Sequence, residues 1–228
     1  MSKEVSIKIL DEEPSDFDLS FKIILIGDSF VGKTCLSKKA VQGIFEENYT
    51  PTISFEFLTF YTKIEESIIK LQIWDTCGQE VYRSLISSFY HNSSLAILVY
   101  AIDNINSFEN LETWINELKT VGNPDINIFL IGNKVDLEDK RKITKEMSEE
   151  FCKNHNISFF LETSAKTGFN VQNVFIEAVK ILYMQHQEIK SRTSRPGTIN
   201  NFSFNPEIEN NVSLDEEESK KIRKKNCC

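Results

Sequence analysis

The sequence predicts an α/β domain built on a mostly parallel sheet with helices on both faces. Three observations carry this reading. Apolar runs of strand length recur between residues 21 and 161, and amphipathic segments of helical length separate most of them. Between the first run and the first helical segment lies Gly27-Asp28-Ser29-Phe30-Val31-Gly32-Lys33-Thr34. That loop sits beyond the carboxyl end of a strand, where open α/β sheets bind ligands.

The elements follow in order. Residues 21–26, Phe-Lys-Ile-Ile-Leu-Ile, form an apolar run with a single lysine, a buried strand, and Cys35-Leu36-Ser37-Lys38-Lys39-Ala40 begins a helix reaching about Gln42. Residues 55–64 and 68–74 read as strands, and the intervening Glu65-Glu66-Ser67 suggests a hairpin. Leu95–Ala101, residues 126–131 and residues 157–161 read as further buried strands. Amphipathic segments cover 107–121, 145–154 and 171 to about 187, and Asn106 followed by Glu109 resembles a capping box with Asn as the cap.

Bulk properties bound the function. A chain of 228 residues with 40% apolar content suits one well-cored domain and a tail. The net charge of −8 argues against nucleic acid as a partner. No apolar stretch approaches the ~20 residues that span a bilayer. Residues 1–20, polar and acidic, read as a flexible lead-in without the apolar core of a signal peptide. The domain then occupies 21–188, and 189–228, rich in Ser, Asn and acids, reads as a disordered tail. Cys35, Cys77, Cys152, Cys227 and Cys228 have no metal-ligand spacing, and the lack of a secretion signal leads to the expectation of a reducing cytosol. His91, His155 and His186 are scattered and do not suggest a metal site built from protein ligands alone.

The chemistry begins in the glycine loop, whose pattern G-x-x-x-x-G-K-T wraps a polyphosphate. Gly27 and Gly32 let successive amide N–H groups converge on phosphate oxygens, and the following helix adds its positive end. Lys33 can reach the β- and γ-phosphates, and the Thr34 hydroxyl can take a place on Mg²⁺. Asp75, at the end of an apolar strand in Trp74-Asp75-Thr76-Cys77-Gly78-Gln79, can hold that ion directly or through a water. Gly78 can offer an N–H to a γ-phosphate, and the Gln79 amide can orient an attacking water. In Asn133-Lys134-Val135-Asp136 the carboxylate can accept from N1–H and the 2-amino group of guanine, a donor pair adenine lacks. Lys134 and Lys166 can lay their stems along the ligand, and a backbone N–H of Glu162-Thr163-Ser164-Ala165-Lys166 can donate to guanine O6.

Taken in order and spacing, Gly27 to Thr34, Thr52, Asp75 to Gln79, Asn133 to Asp136 and Thr163 to Lys166 resemble the five nucleotide motifs of the Ras-like small GTPases. The resemblance covers about residues 20–187. Within that superfamily the chain looks most like a Rab protein, from Lys70-Leu71-Gln72-Ile73-Trp74-Asp75-Thr76, Tyr82-Arg83-Ser84-Leu85, Leu98-Val99-Tyr100 and the terminal Cys227-Cys228.

The resemblance implies the P-loop GTPase fold, a six-stranded, mostly parallel sheet with one antiparallel strand. It implies GTP, GDP and Mg²⁺ as ligands, contacted by Ser29, Phe30, Val31, Cys35, Asn133, Ser164 and Ala165 besides the residues already named. Phe45 would pack on the guanine, and Thr52 would complete the magnesium shell with Thr34 and Asp75. Lys33, Gln79 and Thr52 would serve hydrolysis, slow until an activating protein supplies the missing positive charge. Further implied partners are an exchange factor, effectors on the switch segments, a prenyl-transferase escort and a GDP-dissociation inhibitor, around a monomer. Cys227-Cys228 resembles a doubly geranylgeranylated terminus, which two buried chains would anchor stably. The five basic residues of 220–225 would add attraction to an anionic leaflet. The expected place is the cytoplasmic face of intracellular membranes, in exchange with a cytosolic pool, and the expected function a switch in vesicle traffic. A hydrolysis-poor, GTP-binding scaffold is the alternative. Three departures stand out: bulky Phe30 where the family usually has a small residue, Cys77 where alanine is usual, and Ile53-Ser54-Phe55-Glu56-Phe57, a partial match.

Overall fold

Isoleucine and leucine at consecutive positions of strand β2 (Leu19–Ile26) leave no polar face, so this strand is covered on both sides. The computed structural model describes residues 6–47, 55–76, 89–123 and 126–193. Around β2 stand β1 (Ile7–Leu10), α1 (Lys33–Gln42), β3 (Glu56–Ile64), β4 (Ser67–Asp75) and β5 (Leu95–Ala101). There follow α2 (Ile105–Glu109), α3 (Leu111–Val121), β6 (Asn127–Asn133), a 3₁₀ turn over Val135–Lys140, α4 (Lys145–His155), β7 (Phe159–Glu162) and α5 (Val171–Thr193). By internal packing the chain divides into Met1–Glu188, which holds the whole sheet, and Ile189–Cys228, described only at its first residues, where they are helical.

The sheet runs β1-β3-β4-β2-β5-β6-β7. β3 is antiparallel to both neighbours, and the β4, β2, β5, β6 and β7 pairings are parallel. The single reversed strand follows from the tight β3–β4 hairpin, whereas parallel neighbours require crossover helices. Alternate residues of β2 enter opposite cores. Ile23 and Leu25 meet α1 and α5 through residues such as Leu36, Phe175 and Val179. Ile24 and Ile26 share a core with Leu111, Trp114, Ile115 and Leu118, which lie along one stripe of α3. Each such buried side chain contributes about 1.5–3 kcal/mol.

Three expectations need correction. The sheet has seven strands, not six, because Ile7–Leu10, placed in the flexible lead-in, pairs with β3 from Ile7↔Ile64 to Leu10↔Tyr61. Ile7 and Ile9 pack against the core while Lys8 faces solvent, and the otherwise open edge of β3 supplies the backbone partners. Asp18 then fastens the segment: its N–H donates to the Ile68 carbonyl at 2.9 Å and its carboxylate accepts from the Ile68 N–H at 2.6 Å. The helical segment 107–121 is two helices, since the chain turns at Asn110. The capping box on Asn106 is absent: Asn104 precedes α2 without a side-chain cap, and the buried Ser107 hydroxyl occupies the turn, donating to the Asn104 carbonyl at 2.7 Å.

Candidate functional site

The glycine loop turns where side chains would collide. Gly27 has φ +136°, and a β-carbon there would lie 2.2 Å from the Val99 carbonyl oxygen. Gly32, at φ +96°, presses on Asn133, with only 2.4 Å from a built β-carbon to Nδ2. Both positions therefore exclude larger residues. α1 starts directly after Gly32 with no side chain capping it, so its first N–H groups and positive end face the loop's concavity. Lys33 is buried and folds back, its Nζ donating at 2.8 Å to the Gly27 and Asp28 carbonyls. The Asp28 carboxylate is engaged by α3, accepting from Asn110 Nδ2 at 2.7 Å and Trp114 Nε1 at 2.8 Å.

Beside the loop, the Thr34 hydroxyl donates to one carboxylate oxygen of Asp75. The other oxygen of this fully buried carboxylate has no hydrogen-bond partner. Desolvation pushes Asp75 up to about 6, with Lys33 and the Thr34 hydrogen bond opposing it and Glu56 adding to it. A buried carboxylate with an orphaned oxygen and a hydroxyl beside it is a hard-oxygen donor set that fits Mg²⁺.

At the other end a cavity of about 400 Å³ is lined by Phe30, Gly32, Cys35, Phe45, Asn133, Lys134, Asp136, Ala165 and Lys166, among others. Asn133 stitches its walls. Its Nδ2 donates to the Val31 carbonyl at 2.9 Å, and its Oδ1 accepts from Thr163 Oγ1 and the Ala165 N–H, each at 3.2 Å. Val31 is buried beneath. Ser164 Oγ donates to Asp136 Oδ1 at 2.5 Å. Lys166 pairs with Glu47 at 3.4 Å, and both line the cavity with Phe45. Cys35 is half-buried and lines the cavity, with its thiol pushed up chiefly by desolvation.

The arrangement joins an anion cradle, an oxygen-rich cation position and a cavity with a carboxylate in its wall. A model of the Ras family matches residues 22–184. The chain belongs to the Ras family. Ras-like small GTPases bind GTP and GDP with Mg²⁺ and hydrolyse GTP as switches, and this chain is a small GTPase of that general kind. Its Ras-family core brings together Gly27, Ser29, Phe30, Val31, Gly32, Lys33, Thr34, Cys35, Phe45, Asp75, Asn133, Lys134, Asp136, Ser164, Ala165 and Lys166 at the carboxyl ends of β2, β4, β6 and β7. Thr52, Cys77, Gly78, Gln79, Cys227 and Cys228 lie outside the described residues. Among the described residues no group of His, Cys, Asp and Glu forms a further metal cluster.

Sequence reasoning missed two supports of this Ras-family site. Asp28 carries no role in the loop's sequence pattern, yet it anchors the loop to the α3 region through Asn110 and Trp114. Arg141 carried no motif signal, yet it bridges the two loops at the cavity's base end. Its only sequence cue is its position shortly after Asp136.

Proposed function

We propose that this chain is a Rab-type GTPase switch of vesicle traffic, held on the cytoplasmic face of intracellular membranes by a prenylated Cys227-Cys228 and cycling through a cytosolic pool. The observation that carries the nucleotide assignment is Asp136, held in the cavity wall by Ser164 while Asn133 ties that wall to the phosphate loop. An acceptor there matches the N1–H and 2-amino donors of guanine. The Rab assignment rests on the sequence of 70–76, 82–85 and 98–100 and on the terminal cysteine pair.

In this reading the loop amides and Lys33 bind the phosphates, and Thr34, Asp75 and Thr52 hold Mg²⁺, which supplies charge neutralisation when bound. Phe45 covers the guanine. Gly78 senses the γ-phosphate, and Gln79 with the Thr52 backbone orients the water for in-line attack. An activating protein supplies the missing cation, and an exchange factor reopens the site. Effectors read the switches, and an escort and a dissociation inhibitor handle the lipidated tail.

Single-turnover GTP hydrolysis with GDP release, each with and without Mg²⁺, tests the switch. Slow magnesium-dependent hydrolysis supports it, and Asp136→Asn should weaken GDP binding on the order of a hundredfold by turning an acceptor into a donor. Undetectable hydrolysis with tight GTP binding would instead favour the scaffold reading, to which the left-handed backbone of Phe30 (φ 66°) lends a specific observation. Intact mass of protein from its own cells tests the lipid: an unmodified terminus removes that part of the proposal.

A further inference from the structure

One charged cluster beside the cavity has no part in phosphate chemistry. Arg141 follows the 3₁₀ turn that carries Asp136. On one side its Nε and Nη2 donate to the Glu138 carboxylate at 2.8 and 2.7 Å. On the other, Nη1 and Nη2 donate to Glu162 at 2.6 and 3.1 Å, and Nη1 also reaches the Ile143 carbonyl at 2.9 Å. Glu138 lies two residues after Asp136 in the same turn. Glu162 ends β7, is 8% exposed, and immediately precedes the 163–166 loop. One guanidinium therefore spans both loops of the base end.

The first half of the turn has its own anchors: Val135 packs against the core and its N–H donates to the Thr163 carbonyl at 3.1 Å, and Ser164 holds Asp136. Its second half is weaker, since none of its residues is buried and Leu137 departs from helical geometry (φ −98°, ψ 36°), and there the Arg141 fork takes hold through Glu138. The 163–166 loop is better anchored, by the Thr163 N–H to the Gly132 carbonyl at 2.9 Å and by Asn133. The planar fork makes two hydrogen bonds to each carboxylate and one to the Ile143 carbonyl, five in all, which the three donors of a lysine cannot match.

We propose that Arg141 is the positioning residue for base recognition: acting through Glu138 and Glu162, it holds the Asp136 turn against the 163–166 loop so that both engage the same guanine. The inference rests on the guanine reading of the cavity. It separates Asp136, which would touch the base, from a brace that never does but sets where that carboxylate stands.

The test compares GDP with inosine diphosphate, which lacks the 2-amino group, on full-length protein. In wild type GDP binds the tighter of the two. Arg141→Gln should speed GDP release about tenfold, the loss of one charge-assisted hydrogen bond or more, and should also shrink the preference for GDP over inosine diphosphate. Arg141→Lys, which keeps the charge but has three donors in place of five, should restore both in part. A brace that merely stabilised the fold would lower Tm and leave the GDP preference as in wild type, and that result overturns the proposal. If Arg141→Gln does not fold, Glu138→Gln, at the exposed partner, reads the same ratio with the same two outcomes. Wild-type protein that binds neither nucleotide, or both equally, overturns the guanine reading itself, so the two failures are distinguishable.

Discussion

Thr34 and Asp75, on α1 and β4, meet through a hydroxyl-to-carboxylate hydrogen bond that leaves the second oxygen of a fully buried Asp75 unpartnered. That oxygen and the hydroxyl are the obvious seats for a hard cation. Asp75→Asn and Thr34→Ala should each reduce the effect of Mg²⁺ on GDP retention by more than about tenfold, since even outer-shell changes cost 10–100-fold in metal affinity. GDP dissociation with Mg²⁺ and with chelator measures this. Equal magnesium effects in variant and wild type would place the ion elsewhere.

The same burial gives a pH dependence. Asp75 titrates near 6 in the folded chain, against an ordinary value of 3.8. The folded state thus holds the proton more tightly than the unfolded one, so the stability Asp75 contributes is present below about pH 3.8 and is lost as pH rises through about 6. In nucleotide-free, magnesium-free protein, Asp75→Asn should gain on wild type over that window, by ~2–3 kcal/mol when it is complete. Urea unfolding across the window reads the difference, and parallel stability profiles would contradict it.

Phe30 holds a left-handed backbone at φ 66° while its ring, 57% exposed, forms part of the cavity wall. A β-carbon in that region costs roughly 1–2 kcal/mol, which glycine avoids. An apolar ring left half in water is also one that a bound nucleotide would cover. Phe30→Gly should therefore raise thermal stability and at the same time quicken GDP release, about fivefold for roughly 1 kcal/mol of lost contact. Unchanged release would show that the ring only decorates the loop.

The first strand makes a separate prediction. Ile9 pairs with Thr62 and packs on the core, and Tyr61 donates to Glu13 at 2.5 Å from the same edge. Ile9→Asp should lower unfolding free energy by about 1–3 kcal/mol, the range for a half-buried aliphatic replaced by a charge. Chemical denaturation measures it, and a loss within about 0.5 kcal/mol, the usual range for a surface substitution, would mean that the strand frays in solution.

Much of this site could be read residue by residue. The loop from Gly27 to Thr34 can be recognised because phosphate binding needs glycines and a helix start at neighbouring positions, and local backbone chemistry leaves a local pattern. Asp136 was legible for a similar reason, since base discrimination needs one acceptor on a short turn. The β3–β4 hairpin and the alternation of strands and helices follow from periods of two and 3.6, which any stretch of chain displays.

The supports of the site were not legible, because each joins residues distant in the chain. Trp114 holds Asp28 across 86 positions, Asn133 holds Val31 across 102, and Arg141 reaches Glu162 across 21. Ile7–Leu10 looked like lead-in because a four-residue apolar run gains strand character only against the free edge of β3. Asn106 looked like a cap because its neighbours fit the pattern, but the chain's path after β5 gave the turn to Ser107. Residue type and local spacing thus settled which ligand groups are present. Folding alone settled their separation, the burial that leaves Asp75 short of a partner, and the brace at Arg141, since packing and desolvation act through distance in space.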